Sequence, residues 1–190
     1  MQIEYEAKFL NINIEEVRAK LKNIGAQLVR PEFLMRRVVF VTPSKIENAW
    51  LRVRDEGDKI TMSLKIDGGE KIHDQKESQI MISDFTAGCK FLESIGARKT
   101  AYQENKREVW KQSGVEFDID TWPGLNTFLE IEGVSEEVVK KAASELGFDW
   151  SGAVFGSVGR LYIKELGINI DEAGSEIPEI TFTNPPVLKK

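Results

Sequence analysis

Several strand-like stretches of this 190-residue chain place two charges of one sign two residues apart around an apolar residue, among them Glu4-Tyr5-Glu6, Arg52-Val53-Arg54, Asp118-Ile119-Asp120 and Glu130-Ile131-Glu132. Successive side chains of a β-strand point to opposite faces, so each stretch has a charged face of uniform sign backed by an apolar face. A solvated strand face ordinarily mixes signs, because neighbouring like charges repel. Signs sorted strand by strand are what the lining of a shared charged cavity requires. The apolar residues in between then form an outer layer that other elements must cover. For any one strand taken alone, a wet polar face is the alternative.

The remaining polar positions extend the pattern. Lys8 continues the first strand, "TMSLKI" contributes Lys65, and "KESQI" contributes Glu77 with Gln79 on the same face. "NKREVW" contributes Lys106 or Arg107. Period-two alternation marks eight strands, at 2–10, 27–42, 49–55, 59–67, 75–82, 98–111, 114–121 and 127–133, with turns at "DEGDK" and "QSG". Amphipathic helices are expected from Asn13 to Gly25, Ser83 to Ile95 with Gly96 as stop, Ser135 to Gly147, and Val158 to Leu166 closing at Gly167. Asn13 is suited to capping the first, with Glu16 reaching back. The second should turn Phe85, Phe91, Leu92 and Ile95 inward. Eight strands with few helices predict an α+β chain with a predominantly antiparallel sheet, open or closed. Residues 1–167 read as one domain and 168–190, ending in "TNPPVLKK", as a tail or arm.

A weak internal echo runs through this plan. "NIGAQL" and "RRVVF" are followed later by "SIGARK" and "KREVW", and the step from Gly25 to Arg36 equals that from Gly96 to Arg107. Two similar half-barrels would produce it.

Composition narrows the functional classes. A formal charge of -5 argues against generic nucleic-acid binding, and no run of apolar residues is long enough to span a membrane. Cys89 is the sole cysteine, which excludes an internal disulfide and a cysteine-based metal cluster. The chain enters a charged strand without an apolar leader, so a cytoplasmic location is expected.

Clustered carboxylates are hard oxygen ligands suited to Mg²⁺ or Mn²⁺, and clustered Arg and Lys suit phosphate oxygens. A cavity holding both would take a metal–polyphosphate complex. Either set left unpaired indoors would cost several kcal/mol per ion, so ligand and metal should also stabilise the fold.

The Glu-x-Glu-x-Lys opening, the "LRVR", "SLK", "KES" and "KRE" strands and the "DTWPGLNTFLEIE" ending resemble the CYTH superfamily over about residues 2–166. That superfamily includes class IV adenylyl cyclases, thiamine triphosphatases and inorganic triphosphatases. The resemblance implies an eight-stranded antiparallel closed barrel around a tunnel, with helices outside. It implies a triphosphate on Lys8, Arg52, Arg54, Lys65 and Arg107. Divalent metal would lie on Glu4, Glu6, Asp120, Glu130 and Glu132, with Glu77 in support, and Lys8, Lys65 and Arg107 would take part in the chemistry. The substrate would be ATP, tripolyphosphate or thiamine triphosphate. The second half looks closer to bacterial class IV cyclase relatives, and a homodimer is compatible with the resemblance.

The chain departs from the family pattern at Gln79, where a second Glu is common, and at Asn105, where a Lys is common. Arg37 and Val39 stand where Asp and Tyr are often found, and Arg37 reads either as a further phosphate contact or as a surface charge. Asp118 reads either as a support for the site or, the preferred reading, as a solvent neighbour, His73 as solvent-facing and Cys89 as packing. Trp50, Trp110 and Trp122 read as packing, as do Arg160 and Tyr162 on the last helix. Two other classes remain open: a non-catalytic polyphosphate- or nucleotide-binding module, and a β-rich interaction protein with polar faces outward. The first has no need of the carboxylates, and the second does not explain the sorted signs.

Overall fold

A computed structural model describes residues 1–44, 46–170 and 177–187. The strands are β1 (Gln2–Ile3), β2 (Tyr5–Phe9), β3 (Gln27–Val41), β4 (Ala49–Asp55), β5 (Ile60–Asp67), β6 (Gln75–Ile82), β7 (Arg98–Gln112), β8 (Val115–Thr121), β9 (Phe128–Gly133) and β10 (Glu179–Ile180). The helices are α1 (Ile14–Asn23), α2 (Phe85–Ser94), α3 (Glu136–Glu145) and α4 (Val158–Leu166). The strands follow the order β1-β6-β5-β4-β3-β7-β8-β9-β2, antiparallel throughout, with β10 parallel to β7.

The two ends of that order are one continuous piece of chain. β1 pairs with β6 and β2 pairs with β9, and the peptide N–H of Glu4 between them bonds the Gln75 carbonyl at 3.1 Å. The N-terminal strand therefore splits at Glu4 and closes the sheet into a barrel. Counted this way, the eight expected strands form the wall. Tail residues 171–176 and 188–190 lie outside the described residues, and β10 is a short addition from the remainder.

The sequence echo has a structural counterpart. A strand, a ten-residue helix and three strands (β2-α1-β3-β4-β5) are followed by the same series (β6-α2-β7-β8-β9), and the fifteen-residue strands β3 and β7 pair with each other. Register shifts between Leu28 and Phe33 put extra residues into β3. Arg36 consequently lies on the outer face against Asp55, while Arg37 turns inward.

Local signals explain the helices. Asn13 accepts the backbone N–H groups of Glu15 and Glu16, and Gly25 follows α1 with a φ of 85° that suits glycine. Asp84 caps α2, accepting the backbone N–H of Ala87. Expected inward, Phe91 and Ile95 are instead exposed. The helix approaches the sheet through Gly88, where a Cβ would stand 2.4 Å from an Ile82 methyl. That contact fixes Phe85, Gly88, Cys89 and Leu92 as the inner stripe and rotates Phe91 and Ile95 outward.

The apolar residues between the sorted charges form the outer layer. Ala7, Phe9, Phe117, Ile119, Leu129 and Ile131 are buried with Val17 and Leu21 of α1 and Val139 of α3. Ile3 is 45% exposed. The barrel is thus apolar on its outer wall and charged within, the reverse of an ordinary small barrel.

Candidate active site

The inward faces of the strands enclose a cavity of about 1050 Å³. Every residue of the expected site lines it: Glu4, Glu6, Lys8, Arg37, Arg52, Arg54, Lys65, Glu77, Arg107, Asp120, Glu130 and Glu132. Strand register divides these residues into two walls.

One wall is cationic. Arg37 of β3 stands directly opposite Arg54 of β4, with Arg52 two residues along the same face. Arg52 bonds Glu77 at 2.9 Å and Arg54 bonds Glu56 at 2.7 Å. Arg37 is 6% exposed and, among the described residues, has no ion-pair partner. It bonds the neutral side-chain oxygen of Asn105. The Nε–H groups of all three arginines are buried without a hydrogen-bond acceptor. Burial and the charge of Arg54 lower Arg52 to about 10. Burial, with Arg52, Arg54 and Arg107 around it, lowers Arg37 well below the usual guanidinium range against a smaller opposing pull from Asp120. Positive charge is in excess here, and an entering anion would relieve it.

The facing wall is built from β2, β9 and β8. Glu6, Glu132 and Glu116 are register partners in one row, and Lys8, Glu130 and Asp118 form the next. Lys8 lies 3.1 Å from Glu130 and bonds Glu6, and it donates to the Gly156 carbonyl at 2.8 Å. Lys65 meets Glu4 at 2.8 Å. Arg107 is held by Asp120 and Glu130, at 2.8 and 3.0 Å, and by Asp118. Glu132 has no cation partner among the described residues. Burial and the charges of Glu6, Glu130 and Glu116 raise its carboxyl to about 7. Burial also raises Glu4, to about 8, and Glu4 shares a hydrogen bond with Glu77 against the pull of Lys65. Surplus negative charge on hard carboxylate oxygens fits a divalent cation such as Mg²⁺ or Mn²⁺. Among the described residues, no three of these groups already enclose an ion-sized space. Among the described residues Glu132 has no cation, Glu4 and Glu6 each share one, and Glu130 lies between Lys8 and Arg107. Asp120 is engaged with Arg107.

Several participants escape sequence reasoning. Asp118 is buried on Arg107, a correction to its reading as a solvent neighbour. The alternatives for Arg37 resolve in favour of the cavity, and Lys106 points outward to Glu32 at 3.2 Å, leaving Arg107 inside. Glu56 falls in the expected turn "DEGDK", yet it continues the alternation of Arg52 and Arg54 and pairs with the latter. Trp50 and Trp122 line the cavity, whereas Trp110 belongs to the outer core. Arg160 of α4 reaches Asp67 at 2.9 Å beside one mouth. His73 is near Asp74 at 3.8 Å with a half-exposed side chain, and Cys89 packs under α2. Among the described residues, no helix is long and apolar enough to cross a membrane.

A family model described as the CYTH domain matches residues 2–148. No curated protein sequence matches. Among solved structures, a candidate adenylate cyclase of Vibrio parahaemolyticus aligns with a TM-score of 0.73 at 14% identity, covering 84% of this chain and 97% of its own. A conserved hypothetical protein of Pyrococcus furiosus aligns with a TM-score of 0.67 at 24% identity, over 79% and 94%. A candidate adenylyl cyclase of Hippeastrum, described as having a dominant triphosphatase activity, aligns with a TM-score of 0.54 at 14% identity, over 88% and 96%.

Proposed function

Because this chain belongs to the CYTH domain family, we propose that its tunnel binds a triphosphate together with Mg²⁺ or Mn²⁺ and transfers a phosphoryl or nucleotidyl group. The observation that carries this reading is the opposition of two unbalanced walls across one cavity. Arg37, Arg52 and Arg54 have unused buried donors, and on the facing wall six carboxylates (Glu4, Glu6, Asp118, Asp120, Glu130 and Glu132) meet three cations (Lys8, Lys65 and Arg107). A metal–triphosphate complex supplies the complement of both. A binding module without catalysis would need only the first wall.

In this reading Arg37, Arg52 and Arg54 grip the polyphosphate oxygens, with bidentate geometry open to each guanidinium. Lys65 and Lys8 add charge from the neighbouring strands. Arg107, immobilised by Asp118, Asp120 and Glu130, presents a cation that need not reorganise as charge develops on the phosphate. Glu4, Glu6, Glu130 and Glu132 would hold the metal, with Glu77 in support. The metal, when bound, neutralises phosphate oxygens as a Lewis acid. Fixing the reacting groups in line supplies most of the rate in such transfers.

The leading reaction is of the class IV adenylyl cyclase type. The ribose 3′-hydroxyl of ATP attacks the α-phosphorus, and pyrophosphate leaves. The cavity lining also includes Trp50, Val39 and Val41, an apolar surface suited to a nucleoside. Hydrolysis of a terminal phosphate is the second reading. It is favoured by the activity described for the Hippeastrum neighbour, which shares the fold. Product analysis with Mg²⁺ or Mn²⁺, offering ATP, tripolyphosphate and thiamine triphosphate separately, distinguishes them. Cyclic AMP with pyrophosphate supports the first reading and orthophosphate the second. Binding of all three without turnover contradicts both.

A further inference from the structure

Among the described residues, each cation of the tunnel except Arg37 forms an ion pair with a carboxylate. Lys8 has Glu6 and Glu130, Arg52 has Glu77, Arg54 has Glu56, Lys65 has Glu4, and Arg107 has three acids. The Arg37 guanidinium instead lies 4.5 Å from the ring centre of Trp122, and its hydrogen bond goes to the neutral Asn105. Trp122 is 3% exposed, lines the cavity, and has a buried indole N–H without an acceptor.

Trp122 is itself fixed from outside the barrel. Tyr162 of α4 meets its ring edge-on, with centroids 6.4 Å apart, and is anchored by its hydroxyl to the Pro123 carbonyl at 2.6 Å. Ile180 of β10 is fully buried in the same apolar cluster. Its strand pairs with Tyr102 and Gln103 of β7, upstream of the residues that pair with β8. The C-terminal segment therefore packs behind a residue of the tunnel wall.

We propose that Trp122 is a positioning residue whose ring face holds Arg37 toward the cavity without neutralising it, so that Arg37 is the uncompensated cation offered to the bound triphosphate. A carboxylate in that place would orient Arg37 equally well but would compete with phosphate for its charge. An aromatic face stabilises a desolvated guanidinium through the ring quadrupole and leaves its donors free. Asn105 adds a neutral acceptor. The proposal rests on the triphosphate reading above, and it goes further in linking α4 and the C-terminal segment to anion affinity.

The test is a double-mutant cycle in tripolyphosphate affinity, measured by calorimetry with Mg²⁺ present, on the full chain and on Trp122→Met, Arg37→Met and the double variant. Each single substitution should weaken binding about tenfold, and the double variant should bind little worse than either single one. Trp122→Phe, which keeps a ring face and removes the N–H, should recover most of the affinity. Additive losses, or Trp122→Phe as weak as Trp122→Met, would overturn the positioning role. If the unaltered chain fails to bind tripolyphosphate, the triphosphate reading falls, and the proposal with it. A second measurement does not depend on Trp122→Met folding: ¹⁹F NMR of the chain labelled with 5-fluorotryptophan, with the Trp122 signal assigned through Trp122→Phe. That signal should move on Arg37→Met and on adding tripolyphosphate, while those of Trp110 and Trp150, outside the tunnel, stay in place. A stationary Trp122 signal overturns the proposal.

Discussion

Glu6 and Glu132 stand directly opposite each other on β2 and β9, and Lys8 pairs with Glu6 while Glu132 has no cation partner among the described residues. Like charges in directly opposed positions destabilise a sheet. A fold that keeps such a pair inside a barrel gains stability when something of opposite charge shares the space.

Replacing Glu132 by Gln should therefore have two effects of opposite sign. Without metal, the variant should melt higher than the unaltered chain, by a free energy of about 0.5–1 kcal/mol. With Mg²⁺ or Mn²⁺, the rise in melting temperature seen for the unaltered chain should be largely lost. Thermal melts with and without metal read both. A lower melting temperature in the metal-free variant would show that Glu132 is a structural residue.

Arg37 gives the matching test on the cationic wall. It is buried beside Arg54 and near Arg52 and Arg107, and among the described residues it forms no ion pair, with Asp120 offsetting only part of that repulsion. Arg37→Met should stabilise the free protein by on the order of 1 kcal/mol, since replacing buried charge by apolar volume is often stabilising. The same substitution should diminish the melting-temperature rise produced by tripolyphosphate. A destabilised free variant would show that Arg37 already has its counter-charge.

An ion pair outside the tunnel provides the pH dependence. Arg18 of α1 reaches buried Glu108 of β7 through Nε at 3.0 Å, and Trp110 donates to the same carboxylate at 2.6 Å. Burial alone would raise Glu108, but these hydrogen bonds outweigh it and hold the carboxyl below its ordinary value. A depressed folded-state pKa contributes stability above the unfolded value, about 4.3, and loses it as pH falls through the folded one. Urea unfolding should accordingly show stability falling below about pH 4.5, with part of that slope absent in Glu108→Gln. At pH 7 the variant should be less stable by about 1 kcal/mol, a modest figure because Arg18 is partly exposed. An unchanged pH slope in Glu108→Gln would assign the acid loss to other carboxylates.

The inside-out character of the barrel was legible because it is a local property. Alternation assigns Glu4, Glu6, Arg52, Arg54, Glu130 and Glu132 to one face and Ala7, Val53 and Ile131 to the other, and sign sorting says which face is enclosed. The closure at Glu4 was not legible at the level of residues, since it depends on pairing Gln2 with Glu77 and Glu6 with Glu132 across the whole chain. Arg36 and Arg37 are adjacent, so the bulges in β3 decide which one enters the tunnel. The roles of Asp118 and Asn105 are hidden from the sequence for a related reason. Their importance comes from the arginines they touch, and those partners are set by register rather than by spacing. The β10 segment is two residues long and has no periodicity to read.

Whether the two walls form one site for a metal–triphosphate is tested most directly by titrating tripolyphosphate into the chain calorimetrically, with and without Mg²⁺ or Mn²⁺, beside Arg52→Ala. The expected result is saturable binding that tightens with metal and weakens at least about tenfold in the variant, with the variant's fold checked by its melting transition. Equal affinity in the two proteins, or no binding by the unaltered chain under either condition, would contradict a triphosphate site in the tunnel.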